Sequence, residues 1–360
     1  AVTSPKPQLV VSRQPSMAQD PAEVVGAVPM APKQRRRVVA LRNTPDGPVA
    51  TTQTVTDAAA AKTAVSLLQR APGVVNVSID VPVKATADYT SSQWALSKLQ
   101  GTSVWAASQG SGVTVAVVDT GVQGTHPDLT GAVLSGAQFL GGGSPTSSGN
   151  GQTDVAGHGT HVAGIIAADR DSDLVTGIAP QAKILPVKVL GDNGSGYTSD
   201  VTNGVSWAYS HGADIINMSL GSSYSDSSLA AVIQAASNAQ LAIFAAAGNE
   251  RQSGSPRSYP GANNGVVAVA ATTSTDGVAS YSNSGDYVDV SAPGSSILSD
   301  YPTSTVVTMS GTSMATPYAA GAAADVLAYI RNSSPSAKAA AAVAPLLATA
   351  ADLGPAGRDN

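Results

Sequence analysis

Continuous apolar runs alternate with stretches of helical periodicity after Trp94. Four of these runs are six to nine residues long: VTVAVV at 113–118, AKILPVKVL at 182–190, ADIINMSL at 213–220 and LAIFAAA at 241–247. Strands that are apolar on both faces are typical of a parallel sheet covered by helices on both sides. Segments 199–212 and 228–240 have the composition of such helices. The pattern predicts an α/β domain with a doubly wound, mostly parallel sheet, whose active groups lie at the carboxyl ends of strands.

The first 88 residues show a weaker pattern and divide into two parts. Residues 1–34 are rich in Pro, Ser and Gln without sustained periodicity, so we expect an extended or poorly ordered arm. Residues 35–88 predict a small α+β domain with the order strand, turn, strand, helix, strand. The larger α/β domain then occupies residues 89–360.

Charge is distributed unevenly between these parts. The 360-residue chain has a formal net charge of −5. Residues 1–88 carry ten Lys and Arg against six Asp and Glu (+4), and residues 89–360 carry nine against eighteen (−9). Opposite charges allow the two domains to attract each other. An acidic main domain in a chain with 4% aromatic residues argues against nucleic acid as a partner.

Composition excludes several other classes of protein. The chain has no cysteine, which excludes disulfides, cysteine zinc sites and thiol catalysis. Because no apolar run approaches the length of a membrane span, we expect no membrane partner. The first residues, AVTSPKPQLV, lack the basic and apolar regions of a signal peptide, and we expect that one has been removed from a secreted protein.

Four residues with complementary chemistry lie where strands end or helices begin. Asp119 follows the strand TVAVV, Asn249 follows LAIFAAA, and His158 opens the helical stretch HGTHVAGIIAAD. Ser313 precedes a long helix rich in small residues, whose dipole favours negative charge developing beside it. Together they supply a nucleophile, a general base, a carboxylate that orients the base and an oxyanion donor.

His158 and His161 also have a spacing that allows two zinc ligands on one helix face. A zinc hydrolase with such a pair needs a glutamate base and a third ligand. The larger domain contains a single glutamate, Glu250, and the remaining histidines, His126 and His211, lie in unrelated segments. We therefore expect His158 to be catalytic and His161 to be a packing or hydrogen-bonding residue.

The motifs around these residues resemble those of the subtilisin family (subtilase) of serine endopeptidases with the propeptide still attached. They occur in the family's order: VVDTGV (117–122), HPDL (126–129), GHGTHVAG (157–164), INMSLG (216–221), AAAGNE (245–250) and GTSMATP (311–317). The resemblance implies a subtilisin-like fold and a ferredoxin-like, inhibitor-like propeptide domain. It also implies a catalytic triad of Asp119, His158 and Ser313, with Asn249 in the oxyanion hole. The expected reaction is hydrolysis of peptide bonds through an acyl-enzyme, with no cofactor for the chemistry.

The resemblance further implies that protein or peptide substrates bind as an extended strand between two backbone edges. These edges and the S1 pocket, which takes the side chain before the scissile bond, would comprise Gly194, Ser195, Gly196, Ser219, Leu220, Gly221, Ala247, Gly248 and Ser258. Family members with a broad pocket carry glycine at the floor, where this chain has Ser258. We expect broad specificity, and the alternative is a narrow-specificity processing protease of the same fold.

A structural calcium ion is implied by the acidic loop after the His158 helix. Its expected ligands are Asp128, Asp169, Asp171, Asp173 and Val175. The propeptide would act as an intramolecular inhibitor, and self-cleavage within Lys84–Thr90 would release a monomeric enzyme. Because relatives continue past the position at which this chain stops, we expect the catalytic domain to be truncated at its C-terminus.

Two alternatives belong to other functional classes. A metal-dependent hydrolase centred on His158 and His161 would lose its activity to a chelator and would resist serine-directed reagents. A non-catalytic binding protein would keep the propeptide clamped on an inactive scaffold. The complete set of Asp119, His158, Asn249 and Ser313 argues against the second alternative.

Overall fold

The computed structural model describes residues 12–27, 35–44, 47–79, 92–140, 147–170 and 174–353. Its contacts divide the chain into two compact units, Ala1–Ala85 and Thr86–Asn360. The expected domain boundary between residues 88 and 89 and the expected cleavage segment Lys84–Thr90 lie outside the described residues, so both stay predictions.

The described residues of the smaller unit form three antiparallel strands and two α-helices. Its strands are β1 (Arg36–Thr44), β2 (Gly47–Val55) and β3 (Val74–Ile79), and its helices are α1 (Pro21–Gly26) and α2 (Ala58–Leu68). The sheet order is β2-β1-β3. Val38 of β1, Val65 of α2 and Val77 of β3 are buried in one core. The ferredoxin-like topology stays a prediction.

The extended arm expected for residues 1–34 is wrong for residues 12–27. A 3-10 helix, Pro15–Met17, and helix α1 lie there, and Val24 and Val25 are buried in the core of the smaller unit. Asp20 caps α1 by accepting a backbone N–H of the first turn at 2.6 Å. Elements of one or two turns are too short to produce a periodic pattern, which explains the error. Residues 1–11 and 28–34 lie outside the described residues.

The larger unit contains a seven-stranded sheet whose described strand pairs are all parallel. Its strands are β4 (Thr114–Asp119), β5 (Ala137–Gln138), β6 (Lys183–Lys188), β7 (Ile215–Met218), β8 (Ala242–Ala246), β9 (Val267–Thr272) and β10 (Val290–Pro293). They lie in the order β10-β9-β8-β7-β4-β6-β5. Strands β11 (Ile297–Tyr301) and β12 (Thr305–Met309) form a separate antiparallel hairpin.

Helices cover both faces of this sheet. They are α3 (Trp94–Lys98), α4 (Gly101–Val104), α5 (His158–Ala167), α6 (Thr198–Ser210), α7 (Ser227–Asn238), α8 (Thr312–Ser333) and α9 (Val343–Ala348), with 3-10 helices at Pro127–Leu129, Arg251–Ser253 and Ala339–Ala342. In β4, Val115 and Val117 face the core shared with α5 and α8, whereas Ala116 and Val118 face the core shared with α6 and α7. This two-sided burial accounts for the continuous apolar runs and confirms the doubly wound α/β fold.

The parallel direction of the strands brings their carboxyl ends to one edge of the sheet. Strand β4 ends at Asp119, β7 leads into Ser219, and β8 leads into the loop of Asn249. Helices α5 and α8 begin beside this edge, at His158 and Thr312, where they form hydrogen bonds to Asp119 and Asn249. In the ranges that the structure describes, no helix is both long and apolar enough to cross a membrane.

Candidate active site

Asp119 and His158 form the central pair of the site. Nδ1 of His158 lies 2.8 Å from Oδ1 of Asp119. The Asp119 side chain is fully buried and the His158 side chain is 26% exposed, so solvent reaches the pair through the imidazole. The backbone N–H of Thr120 donates to the same carboxylate oxygen at 2.7 Å. A carboxylate at Nδ1 favours the proton on that nitrogen and leaves Nε2 as the acceptor.

Two glycines allow helix α5 to reach this strand end. A Cβ on Gly159 would lie 2.0 Å from the carbonyl oxygen of Gly121. A Cβ on Gly157 would lie 2.1 Å from the ring of Tyr301, and Gly157 also has a φ of +84°. Side chains at these two positions would therefore push α5 away from its neighbours on either side of His158.

The surroundings of His158 raise its pKa above the ordinary value. Burial of the ring disfavours the charged form, but the charge and hydrogen bond of Asp119 outweigh burial, and the charge of Asp154 adds to them. A base of raised pKa accepts a proton more readily, and its neutral form predominates only at higher pH.

Ser313 lies in the first turn of α8, next to the end of β7. Its hydroxyl donates to the carbonyl oxygen of Ser219 at 3.1 Å, and the Ser219 hydroxyl donates to the carbonyl oxygen of Ser313 at 2.8 Å. Nδ2 of Asn217 donates to the Ser219 hydroxyl at 3.0 Å. To donate to His158, the Ser313 hydroxyl has to rotate away from the Ser219 carbonyl oxygen. Hydrogen bonds between a nucleophile and its base often align only when substrate is bound.

Asn249 is held so that its amide nitrogen faces the start of α8. Its Oδ1 accepts hydrogen bonds from the N–H and the hydroxyl of Thr312, at 2.9 and 3.0 Å. A Cβ built on Gly311 would lie 3.6 Å from both Nδ2 of Asn249 and the backbone N of Ser313. The two donors therefore flank one space, which is open because residue 311 has no side chain. The N–H of Ser313, in the first turn, has no acceptor within the helix.

Two adjoining cavities lie along this edge. The larger, of about 660 Å³, is lined by His158 and by both expected substrate edges, residues 194–196 and 219–221. The smaller, of about 240 Å³, is lined by Asn249, Ser258 and Ser313 among others. A concave site of this kind beside a nucleophile and a base can hold a peptide and its side chain.

Among the residues expected in the S1 pocket, those that line the smaller cavity are Leu220, Gly221, Gly248 and Ser258, whereas Ser219 lines the larger cavity. Ser258 is 6% exposed, and its Oγ would lie 2.5 Å from a Cβ on Gly221. A Cβ on Gly248 would lie 3.0 Å from the Cβ of Ser258. Ala247 is fully buried and does not line the cavity, because its backbone N–H and C=O are bonded inward, to Val269 and Tyr287.

Sequence patterns do not reveal Asn283, which is hydrogen-bonded to the residues on either side of Asn249. Asn283 is fully buried; its N–H donates to the carbonyl of Gly248 at 2.9 Å, and its Oδ1 accepts the N–H of Glu250 at 2.7 Å. Its Nδ2 donates to the Glu250 carboxylate at 3.0 Å. The segment YSNSGD resembles an ordinary turn, so nothing in it distinguishes this asparagine.

Asp154 was missed as well. It is 6% exposed, lies four residues before His158, and accepts hydrogen bonds from the loop and first turn of α5. An aspartate just before a helix is a capping signal, which is the one hint that the sequence contains.

His161 is fully buried. Its Nε2 lies 3.2 Å from the carbonyl oxygen of Ile297 and 3.1 Å from that of Val307, so it joins α5 to both strands of the β11–β12 hairpin. Burial lowers its pKa to about 4. Within the described part of the chain, no group of three or more His, Asp or Glu side chains is arranged to hold a metal ion.

Three of the expected calcium ligands, Asp128, Asp169 and Val175, lie close together at the 3-10 helix Pro127–Leu129. Asp128 is buried; its Oδ2 accepts the N–H of Val175 at 2.9 Å, and its carbonyl oxygen accepts the N–H of Asp169 at 2.7 Å. Burial, and then the charge of Asp128, raise the pKa of Asp300 well above its ordinary value. Carboxylate and backbone carbonyl oxygens such as those of Asp128 are ligands that Ca²⁺ prefers. Asp171 and Asp173 lie outside the described residues.

Comparison with known proteins agrees with this geometry. Residues 110–360 match the model of the subtilase family of peptidases. The chain is 44% identical to thermitase of Thermoactinomyces vulgaris over 236 residues, which cover 65% of this chain and 82% of thermitase. It is 46% identical to subtilisin E of Bacillus subtilis over 220 residues, 61% of this chain and 56% of that protein. It is 41% identical to subtilisin DY of Bacillus licheniformis over 221 residues, 61% of this chain and 78% of that protein.

Proposed function

This chain belongs to the subtilase family and is a subtilisin-like serine endopeptidase, and from that premise we propose that Asp119, His158 and Ser313 are its catalytic triad. The observation that carries the proposal is the 2.8 Å hydrogen bond between His158 and the buried Asp119, at the edge where Ser313 begins a helix. The chemistry follows from the properties of these three groups.

Ser313 attacks the scissile carbonyl as its hydroxyl proton passes to Nε2 of His158. The Asp119 carboxylate holds the ring in the tautomer that leaves Nε2 free, and it stabilises the imidazolium that forms. The side-chain amide of Asn249 and the backbone N–H of Ser313 donate hydrogen bonds to the oxyanion of the tetrahedral intermediate and stabilise its negative charge. His158 then returns the proton to the leaving amine, and water hydrolyses the acyl-enzyme by the same route.

The substrate binds as an extended strand in the larger cavity, between residues 194–196 and 219–221. Its P1 side chain enters the smaller cavity, where Ser258 shortens the pocket and the Glu250 carboxylate stands at the wall. Because Arg257 also lines this cavity, its charge offsets that of Glu250, and the small pocket suits uncharged side chains of moderate size. A library of peptides that vary only at P1 tests this: activity spread over several residues supports broad specificity, and activity confined to one supports a processing protease.

Calcium bound by Asp128, Asp169, Asp171, Asp173 and the Val175 carbonyl stabilises the fold and takes no part in the reaction. A ligand at 100 times its Kd stabilises the folded state by about 2.7 kcal/mol, so calcium should raise the melting temperature by several degrees. Asp128→Asn should abolish this response. An EDTA-insensitive melting temperature in the wild-type protein would refute the site.

The enzyme is made as a secreted, monomeric zymogen whose smaller unit inhibits it until self-cleavage. The opposite charge balances of residues 1–88 and 89–360 support this role. Expression of the chain and of its Ser313→Ala variant tests the activity and the maturation together. The wild-type chain should be cut within Lys84–Thr90, as located by N-terminal sequencing, and the variant should stay whole. Two intact chains, neither of which reacts with a fluorophosphonate, would refute the peptidase mechanism.

A further inference from the structure

Asp154 is a buried carboxylate that the triad does not use, and we propose that it is a positioning residue: it fixes helix α5, and with it the His158 ring, against the strand end that bears Asp119. The proposal rests on the catalytic mechanism proposed above. It assigns to this residue a task in the reaction beyond capping a helix.

Both oxygens of Asp154 are fully used. Oδ1 accepts the N–H of Gly157 at 2.8 Å and the hydroxyl of Thr120 at 2.9 Å. Oδ2 accepts the N–H of Thr160 at 2.8 Å and its hydroxyl at 2.7 Å. The two N–H groups belong to residues on either side of His158 in the chain, so the carboxylate is hydrogen-bonded to the backbone both before and after the catalytic residue.

Thr120 connects Asp154 to the catalytic carboxylate of Asp119 through hydrogen bonds. Its hydroxyl, which donates to Asp154, also accepts the N–H of Gly159 at 2.9 Å. Its backbone N–H donates to Oδ1 of Asp119 at 2.7 Å, and Nζ of the buried Lys188 donates to its carbonyl oxygen at 2.5 Å. The path from Asp154 to Asp119 therefore runs through one residue, and every polar group of that residue is engaged.

The capping residue Asp226 differs from Asp154 in burial and in the number of donors. Asp226 is partly exposed and accepts three hydrogen bonds, two from N–H groups at the start of α7 and one from the Thr198 hydroxyl. Asp154 is 6% exposed and accepts four, one of them from Thr120, which directly follows β4. A buried charge that is fully hydrogen-bonded holds its partners more tightly than an exposed cap does.

The negative charge of Asp154 also acts on the ring. Among the described residues, the charged and titratable groups around His158 and its loop are Asp119 from β4, Asp154 from the loop before α5, His161 from α5, Lys188 from β6 with its partner Asp192, and Tyr301 from the β11–β12 hairpin. The two carboxylates favour the protonated ring, with Asp119 the stronger of the two, and burial opposes them. Removal of the Asp154 charge should lower the pKa of His158. The acid limb of kcat/KM, which reports the loss of the neutral base, should then move to lower pH.

Asp154→Asn tests the proposal with little change of shape. Each oxygen accepts a backbone N–H that cannot turn away, so the asparagine NH₂ must face one of them in either orientation. We expect plateau kcat/KM to fall about tenfold, mainly through kcat, because the ring is displaced by a fraction of an ångström. We expect the acid limb to move to lower pH, because the charge of Asp154 raises the pKa of His158.

Two further variants separate positioning from a loss of folding. Thr120→Val removes only the hydroxyl that bridges Asp154 and Gly159, and it should also lower kcat. It serves as the test of the proposal if Asp154→Asn does not fold. Asp214→Asn is the matched control: Asp214 accepts the N–H of Thr114 at the opposite end of β4 (3.0 Å) and pairs with Arg331. It should lower the melting temperature and leave the pH profile unchanged.

The outcomes are distinct. If Asp154→Asn lowers the melting temperature but keeps the wild-type kcat and acid limb, Asp154 is only a structural cap and the inference is wrong. If Thr120→Val behaves like Asp214→Asn, the path through Thr120 is wrong. If the wild-type protein neither cleaves peptides nor reacts with a fluorophosphonate, the catalytic mechanism itself has failed, and the role of Asp154 falls with it.

Discussion

Replacing Gly159 by alanine should disable the enzyme while leaving most of the fold intact. The new Cβ would lie 2.0 Å from the carbonyl oxygen of Gly121. Even close carbon–oxygen contacts in proteins keep the atoms about 3.3 Å apart, so α5 and the end of β4 must separate by about 1.3 Å. His158 is the neighbouring residue, and its 2.8 Å bond to Asp119 bridges this gap. A misplacement of about 1 Å at a reacting group costs on the order of 10²-fold in rate, and we expect kcat/KM to fall by that amount.

The assay is hydrolysis of a peptide p-nitroanilide, with the active enzyme counted by fluorophosphonate titration. Gly277→Ala is the matched control, because its Cβ would meet no atom closer than 3.5 Å, the hydroxyl oxygen of Thr273. The control should retain wild-type kcat/KM. If Gly159→Ala keeps more than half of the wild-type value while the fold is intact, the contact between α5 and β4 does not set the geometry of the catalytic pair.

Three further predictions concern other parts of the site. Asn249→Ala should lower kcat by on the order of 10²–10³ with little change in KM, a range for which a subtilisin is itself the standard example, and equal changes in both constants would contradict its role as an oxyanion donor. Ser258→Gly should raise kcat/KM for phenylalanine over alanine at P1 by about tenfold, since one methylene of pocket space is worth that much, and an unchanged ratio would show that Ser258 is not the floor. His161 has a pKa lowered to about 4 from 6.5 by burial, so stability should be full above pH 6.5 and fall by up to about 3 kcal/mol as the pH drops toward 4. In His161→Gln, the free energy of unfolding measured with urea should depend less on pH between 6.5 and 4. An unchanged pH dependence would contradict the lowered pKa of His161.

The sequence predicts the sheet and the central pair well because both depend on simple rules. Strands buried on two faces produce continuous apolar runs, and parallel strands bring their ends to one edge. Asp119 lies at such an end, and the structure brings His158 to it at 2.8 Å, as expected for a base and its orienting carboxylate.

Other parts of the site depend on contacts that no local pattern records. Asp154 acts on Thr120, which lies 34 positions earlier in the chain, and on backbone N–H groups whose direction is set only when α5 forms. Asn283 holds the loop of Glu250 from 33 positions away. The resemblance places Ala247 in the S1 wall, but the residue is fully buried and its carbonyl oxygen accepts the Tyr287 hydroxyl. Helix α1 has only six residues, too few to produce a periodic pattern in the sequence.

The central claim is that Ser313 is the nucleophile and that His158 activates it. The most direct measurement is mass spectrometry of the protein after reaction with a fluorophosphonate, with the adduct located by peptide mapping. We expect one adduct, on Ser313, whose rate of formation falls by several orders of magnitude in His158→Ala and Asp119→Asn. An adduct on another serine, or undiminished labelling of His158→Ala, would contradict the account.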